Sequence, residues 1–288
     1  MTKKTMSRGT AMFWIFIAGF FWSIGGLMVK ISKDNPITLL GYRALLSLPV
    51  LFMFTPPGKL KINKRVFLYA LFPTALAFTY VFSARLTTAA NAIMLQYASP
   101  LYVVILCYIL YKKKPGKEDI AVVIASMTGM ILFFMDDYSP GNMLGNLIAL
   151  LGGLLFACYY TLTGASGEDS SSIIIMSQLQ LVILAAPFMF GVAPLTMERN
   201  SIIAALGMGV IQRGLGEGIY GKTAPHCSPL DAVLMSMTEP LLNPVWVMVF
   251  YGERPERFAL FGSVVIVLSV VLWNIYKSKT ASKGQNEI

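Results

Sequence analysis

Ten apolar runs joined by short loops leave this chain almost no surface suited to water. A hydrocarbon core about 30 Å thick is crossed by roughly 20 residues of helix. Runs of that order occupy positions 11–29, 36–55, 66–84, 91–111, 119–135, 143–163, 172–193, 201–221, 230–250 and 258–276. The breaks carry turn chemistry, as in Thr55-Pro-Pro-Gly58, Lys114-Pro-Gly116 and Tyr138-Ser-Pro-Gly141. No loop is long enough to fold as a soluble domain. The first run follows Lys3, Lys4 and Arg8 as a signal peptide would, but it is too long, lacks a small-residue cleavage site, and reads as a retained span.

Composition agrees. Of 288 residues, 56% are hydrophobic and 13% charged, against about 25% charged in an ordinary soluble domain. A soluble enzyme, a disordered chain and a secreted disulfide scaffold are excluded as classes, and an all-α integral membrane protein remains. Three scattered cysteines predict free thiols, and a single histidine, His226, rules out a histidine-rich metal site.

The net charge of +9 is explained by topology. With the N-terminus inside, fifteen Lys and Arg fall in cytoplasmic segments and six outside, leaving Arg43 and Arg213 within spans. That is the positive-inside pattern, and it places both termini in the cytoplasm of an inner or plasma membrane. The partners expected are a lipid bilayer and a small-molecule substrate, with no nucleic acid.

The chain also resembles itself. At an offset of 140, Tyr80 meets Tyr220, Ala84 Ala224, Ala92 Ala232, Pro100 Pro240, Leu101 Leu241, Tyr111 Tyr251 and Pro115 Pro255, without a gap. The predicted architecture is ten transmembrane helices in two five-helix repeats, residues 1–140 and 141–288. An odd number of spans per repeat inverts the second copy, a symmetry typical of secondary transporters.

These features together resemble the drug/metabolite transporter superfamily, EamA type. The resemblance rests on the ten short-looped spans, on Glu239-Pro240 followed by Gly252-Glu253-Arg254-Pro255, on Ser99-Pro100 and Lys114-Pro115 at matching places in the first half, and on Arg43. It implies a transporter, and it alone favours export. Arg213 and Glu217 match no motif of that family.

One pattern points elsewhere. Gly216-Glu-Gly-Ile-Tyr-Gly221-Lys222-Thr223 spells the phosphate-loop signature. That loop requires a preceding strand and a helix opening at Lys-Thr. Here a span precedes it and Pro225 and Pro229 follow, so no nucleotide and no cofactor is expected. The glycines read instead as sites of close helix approach.

Ionisable groups at membrane depth cost several kcal/mol unless paired or hydrated, which makes them the best functional candidates. At 1.5 Å per residue, Arg213 lies about 18 Å below the outer end of its span, Glu217 about 6 Å further in, and Glu239 about 13 Å above its inner end. Arg213 and Glu217 share a helix face four residues apart. They are either a binding site or a structural ion pair. Arg213 is the candidate for a substrate carboxylate, and Glu239 and Glu217 are the candidates for proton coupling. Arg43 reads as structural. Trp22, Tyr80, Asn91, Gln96, Tyr97, Tyr159, Tyr160 and Asn243 are candidate cavity-lining residues, with Trp22 near Gly25-Gly26 placed to stack on a solute.

The resulting expectation is a secondary active transporter that exports a small organic metabolite, an amino acid or similar amphipathic solute, by proton-coupled alternating access. An intramembrane enzyme and a non-transporting scaffold are the alternatives. The enzyme reading lacks a catalytic motif and any histidine within a span. A single-cysteine probe at position 114 should react from the cytoplasm and one at 137 from outside; the reverse pattern would overturn both the orientation and the inverted repeat.

Overall fold

The computed structural model describes residues 6–87, 89–133, 135, 143–165, 167–196, 198–251 and 257–286. Among them there are helices and turns but no strand. The α-helices are α1 (Arg8–Trp22), α2 (Gly25–Ile31), α3 (Pro36–Phe54), α4 (Lys64–Leu86), α5 (Ala89–Gln96), α6 (Ser99–Tyr111), α7 (Lys117–Phe133), α8 (Met143–Ala165), α9 (Ser170–Pro187), α10 (Arg199–Leu206), α11 (Gly216–Thr223), α12 (Pro229–Ser236), α13 (Thr238–Tyr251) and α14 (Arg257–Asn286). Wider π-helical turns follow α9 over Phe188–Val192 and join α10 to α11 over Gly207–Leu215.

Among the described residues, six helical stretches are long and apolar enough to cross a membrane unbroken: Pro36–Phe54, Lys64–Ser83, Met143–Thr163, Ser170–Val192, Arg199–His226 and Leu260–Lys277. The other runs expected to span are shorter or broken. The first breaks at Ser23, whose hydroxyl turns back onto the Phe20 carbonyl and accepts the Trp246 indole N–H at 2.8 Å. The run at 91–111 breaks at Tyr97-Ala98, just before Pro100, and the run at 230–250 breaks at Met237, three residues before Pro240. Proline lacks the N–H that would continue the helix, so neighbouring carbonyls are freed at both breaks.

Long helices pack in a few recurrent pairs: α4 on α8 and α9, α3 on α9 and on the π segment 207–215, α1 on α11 and α12, and α7 on α14. Glycine sets the closest approaches. A Cβ on Gly262 would fall onto backbone atoms of Phe133 and Gly129, so α7 and α14 touch backbone to backbone. Gly209 and Gly214 do the same for α3, where an added Cβ would sit 2.5 Å from Leu46 Cβ and 2.8 Å from Val50 Cβ. Buried polar pairs supplement the packing, as lipid offers no hydrophobic drive between helices. Thr74 Oγ1 donates to Gln180 Oε1 at 2.8 Å between α4 and α9, and Ser126 and Ser269 hydroxyls meet at 3.2 Å between α7 and α14.

The outer surface is apolar. Phe13, Phe16, Ile124, Ile131, Ile183, Leu184, Phe190, Phe250, Phe261 and Leu272 are all exposed, which suits a surface facing lipid. All three cysteines are free thiols.

Away from the termini, Asp34 ties the turn before α3 to the segment before α10. It accepts from the Thr196 N–H at 2.9 Å, the Thr196 hydroxyl at 2.8 Å and the Ser32 hydroxyl at 2.7 Å. Burial alone would raise the Asp34 carboxyl, but hydrogen bonds involving Ser201, Thr196 and Ser32 outweigh it and hold the group below its ordinary range. The stabilisation is present above the ordinary carboxylate range and fades as pH falls through the lowered value.

Replacing Gly262 with Ala should separate α7 from α14 at a cost of about 1–3 kcal/mol, the usual range for overpacking. Thermal melting in detergent should fall by several degrees, whereas Gly9→Ala, which meets nothing within 4 Å, should leave it unchanged. Equal melting of the two variants would show that this helix contact is not tight.

Candidate functional site

The π segment 207–215 delivers Arg213 into the bundle, and α11 follows with Glu217 one turn on. Arg213 Nη1 donates to Glu217 Oε1 at 2.6 Å. The Tyr159 phenol, from α8, donates to the other oxygen, Oε2, at 2.5 Å. Glu217 is 3% exposed, and both its oxygens are engaged. The ion pair expected from the four-residue spacing is therefore present, with a tyrosine 58 residues away, on α8, completing it.

Glu239 stands in the first turn of α13, directly after the break at Met237. The Tyr97 phenol, at the matching break between α5 and α6, donates to Glu239 Oε2 at 3.0 Å. Among the described residues each carboxylate thus receives one phenol O–H, and Glu217 alone also receives a guanidinium. Arg43 on α3 is 8% exposed and lies within electrostatic reach of Arg213, Tyr80, Glu239 and Glu217. Tyr80 in turn lies within reach of Glu239 and Arg43. Two arginines and two carboxylates thus form one electrostatic group of zero formal charge, drawn from α3, the π segment, α11 and α13. Arg43, read from the sequence as structural, belongs to this group.

Aromatic rings close one side of it. Tyr97 meets Phe156 edge-on at 5.6 Å, Phe156 meets Tyr160 at 4.8 Å, Tyr160 meets Tyr159 at 5.4 Å and Tyr220 at 5.3 Å, and Tyr220 meets Trp22 at 5.6 Å. Such tilted and edge-to-face contacts each add about 0.5–1.5 kcal/mol beyond area burial. Tyr220 Oη also shares a 2.7 Å hydrogen bond with Thr163 Oγ1. Trp22 is therefore buried against Tyr220 rather than presenting a free face, and Gly25 abuts the Gln212 amide.

Spare hydrogen-bonding capacity surrounds the charges. Arg43 Nε, Arg213 Nε, Trp22 Nε1 and Gln212 Oε1 are buried without a hydrogen-bond partner among the described residues. Buried polar atoms are almost always paired, so four at one place point to a ligand or ordered water. No group of three His, Cys, Asp or Glu side chains among the described residues is arranged to hold a metal.

Of the residues singled out from sequence, the structure brings Tyr80, Tyr97, Tyr159, Tyr160, Arg213, Glu217 and Glu239 into this region, with Trp22 in its ring wall. Gln96 ends α5, one residue before Tyr97. The side chains of Asn91 and Asn243, and the residues Glu253, Arg254 and Pro255, lie outside the described residues. Phe156, Tyr220, Thr163 and Gln212 had not been singled out. Tyr220 carried a usable signal, as the repeat partner of Tyr80.

The phosphate-loop pattern is resolved by the same helix. Residues 216–223 form α11, so their N–H groups serve the helix and do not converge on a loop. Gly216 faces the Trp22 indole, Gly218 the Phe54 ring and Gly221 the start of α9.

The model of the EamA-like transporter family matches this chain twice, over residues 9–135 and 143–275. The human protein "Solute carrier family 35 member G1" is 21% identical over 306 residues, covering 98% of this chain and 83% of that one. A solved crystal structure superposes with a TM-score of 0.80 over 95% of this chain and 99% of the other, at 16% identity, which is a likeness of fold alone. With family matches over most of its length, the chain belongs to the EamA-like transporter family, within the drug/metabolite transporter superfamily.

Proposed function

We propose that this protein is a secondary active transporter that exports a small zwitterionic metabolite, such as an amino acid, by proton-coupled alternating access. The observation that carries the proposal is the neutral group of two arginines and two carboxylates held inside an apolar bundle, with Glu239 directly after a helix break. A scaffold gains little from charge at that cost. A zwitterion fits both signs at once: its ammonium faces carboxylate oxygen and its carboxylate faces guanidinium. Export as the direction rests on the family resemblance, and cytoplasmic termini rest on the charge of the loops.

Alternating access is supported by the symmetry of the parts. The two family matches divide the chain near the middle, as two repeats would. Helices α5 and α12 end at Gln96 and Ser236, and α6 and α13 end at Tyr111 and Tyr251, the offset of 140 seen in the sequence. Packing pairs also correspond: α4 lies on α9 as the π segment 207–215 lies on α3, and α8 contacts α5 and α6 as α1 contacts α12 and α13. Exchanging the two conformations of such halves would open the same site to one side and then the other.

Proton coupling needs a carboxylate able to take and release a proton during the cycle. Glu217 has both oxygens engaged, one of them by a guanidinium. Among the described residues Glu239 accepts one hydrogen bond, at Oε2 from the neutral Tyr97 phenol, with no partner on Oε1. Glu239 is therefore the carrier in this scheme, and Glu217 positions Arg213.

In proteoliposomes, with a transported metabolite first found from a panel by counterflow, Glu239→Gln should abolish gradient-driven accumulation while exchange persists. Wild-type pH-dependent accumulation in Glu239→Gln would reassign coupling to Glu217 or to sodium. Glu217→Gln should instead weaken folding or binding, since it leaves the partly buried Arg213 guanidinium without its carboxylate, a loss below the about 3–5 kcal/mol of fully buried pairs. A Glu217→Gln protein with unchanged melting and unchanged affinity would contradict that role.

A further inference from the structure

We propose that a cavity at the end of the bundle where α1 begins binds the phosphate headgroup of an anionic phospholipid. The cavity holds about 700 Å3 and lies between the end of α6, the start of α7, the turn at 224–226, the start of α12 and the last part of α14. It is lined by none of Arg43, Arg213, Glu217 and Glu239, and the proposal does not depend on the transport reading.

Its depth is apolar, with Val103, Val104 and Leu230 in the wall, and its mouth is cationic, with Lys113 and Lys114. The acidic residues of the lining are already committed. Asp231 takes the Arg8 guanidinium at 2.5 Å and the Ser228 N–H at 2.8 Å. Asp119 takes the Lys277 ammonium at 3.0 Å, the Trp273 indole N–H at 2.9 Å and the Gly116 N–H at 3.0 Å. Arg8 also lies over the Trp273 ring, 5.3 Å from its centroid. Lys113 and Lys114 take part in no ion pair among the described residues, so the lining keeps positive charge at its mouth.

Backbone geometry aims these lysines. Lys112 adopts φ 53°, a left-handed helix end, and the chain turns there so that the Lys113 N–H reaches the Cys107 carbonyl at 3.4 Å. The Lys113 charge acts on the Cys107 thiol, which is itself part of the cavity wall.

An apolar depth with a cationic mouth suits an anionic amphiphile. Lipid is the source because the wall runs on into the outer surface: Tyr111 lines the cavity and is 40% exposed, and Tyr108 and Ile109 beside it on α6 are more exposed still. The volume falls within the roughly 300–1,000 Å3 of ligand sites, and a headgroup with its glycerol can fill it while the acyl chains follow α6. Basic pockets between spans are a known mode of headgroup binding.

The test is native mass spectrometry of the full-length protein in detergent with dioleoyl phosphatidylglycerol, dioleoyl phosphatidylcholine or glycerol 3-phosphate. One phosphatidylglycerol should be retained, phosphatidylcholine about tenfold less or weaker, and a large excess of glycerol 3-phosphate should not displace the lipid. Lys113→Gln with Lys114→Gln should lose the lipid about tenfold, while Lys112→Gln, whose side chain does not line the cavity, should keep it. Should the double variant fail to fold, Val104→Phe fills the depth with the lysines intact and should lose the lipid equally. Equal retention of both lipids, full retention by the double variant or by Val104→Phe, or displacement by glycerol 3-phosphate, which would make the site one for free phosphate, each overturns the proposal.

Discussion

Everything distinctive in this molecule depends on charge being kept inside an apolar bundle. The Arg213–Glu217 pair at 2.6 Å is the fixed point. An unpaired ion at that depth would cost several kcal/mol, and even a pair recovers its desolvation only when the remaining hydrogen bonds are made. The Tyr159 phenol makes one of them on the carboxylate. The arginine side is less complete, because Arg213 Nε and Arg43 Nε are buried and unpartnered. The Glu217 carboxylate is satisfied, whereas the two guanidiniums each keep a donor without a partner among the described residues.

The backbone is bent to serve this arrangement. Prolines at 100 and 240 follow breaks that put Tyr97 on one strand of the chain beside Glu239 on the other. Glycines at 209 and 214 let α3 approach the π segment, so that Arg43 comes within reach of Arg213 despite their like charge. π-Helical turns inside α-helices occur often at functional sites, and here the widened turn carries Arg213. The ring wall from Tyr97 to Trp22 then covers one flank, and a motion of either half that opens the site must part those rings.

Much of this was legible in the sequence, and the reasons for the rest are physical. Apolar run length identified a membrane bundle, because nothing else absorbs so many exposed apolar side chains. The spacing of Arg213 and Glu217 specified their pairing, because helix geometry is local. The breaks near 98 and 237 fall beside Pro100 and Pro240, where run length predicts spans over 91–111 and 230–250. Other features were not legible. The break at Ser23 has no proline and depends on Trp246, 223 residues away. The π segment 207–215 lies inside the apolar run 201–221, which shows no signal that sets it apart from an ordinary helix. The phenols on Glu217 and Glu239 come from distant helices, and no local pattern pairs Tyr159 with Glu217 or Tyr97 with Glu239. The Trp22 ring lies on Tyr220, a tertiary contact the sequence does not encode locally.

The central claim is that one charged site is reached from each side of the membrane in turn. Tyr80 is partly exposed and within reach of both Arg43 and Glu239, so a cysteine there reports on access to the site. In protein with Cys107, Cys158 and Cys227 replaced by serine and reconstituted in one orientation, Tyr80→Cys should react with an impermeant thiol reagent added to either side. Reversing the pH gradient should change which side labels faster. Labelling from one side only, whatever the gradient, would contradict the claim.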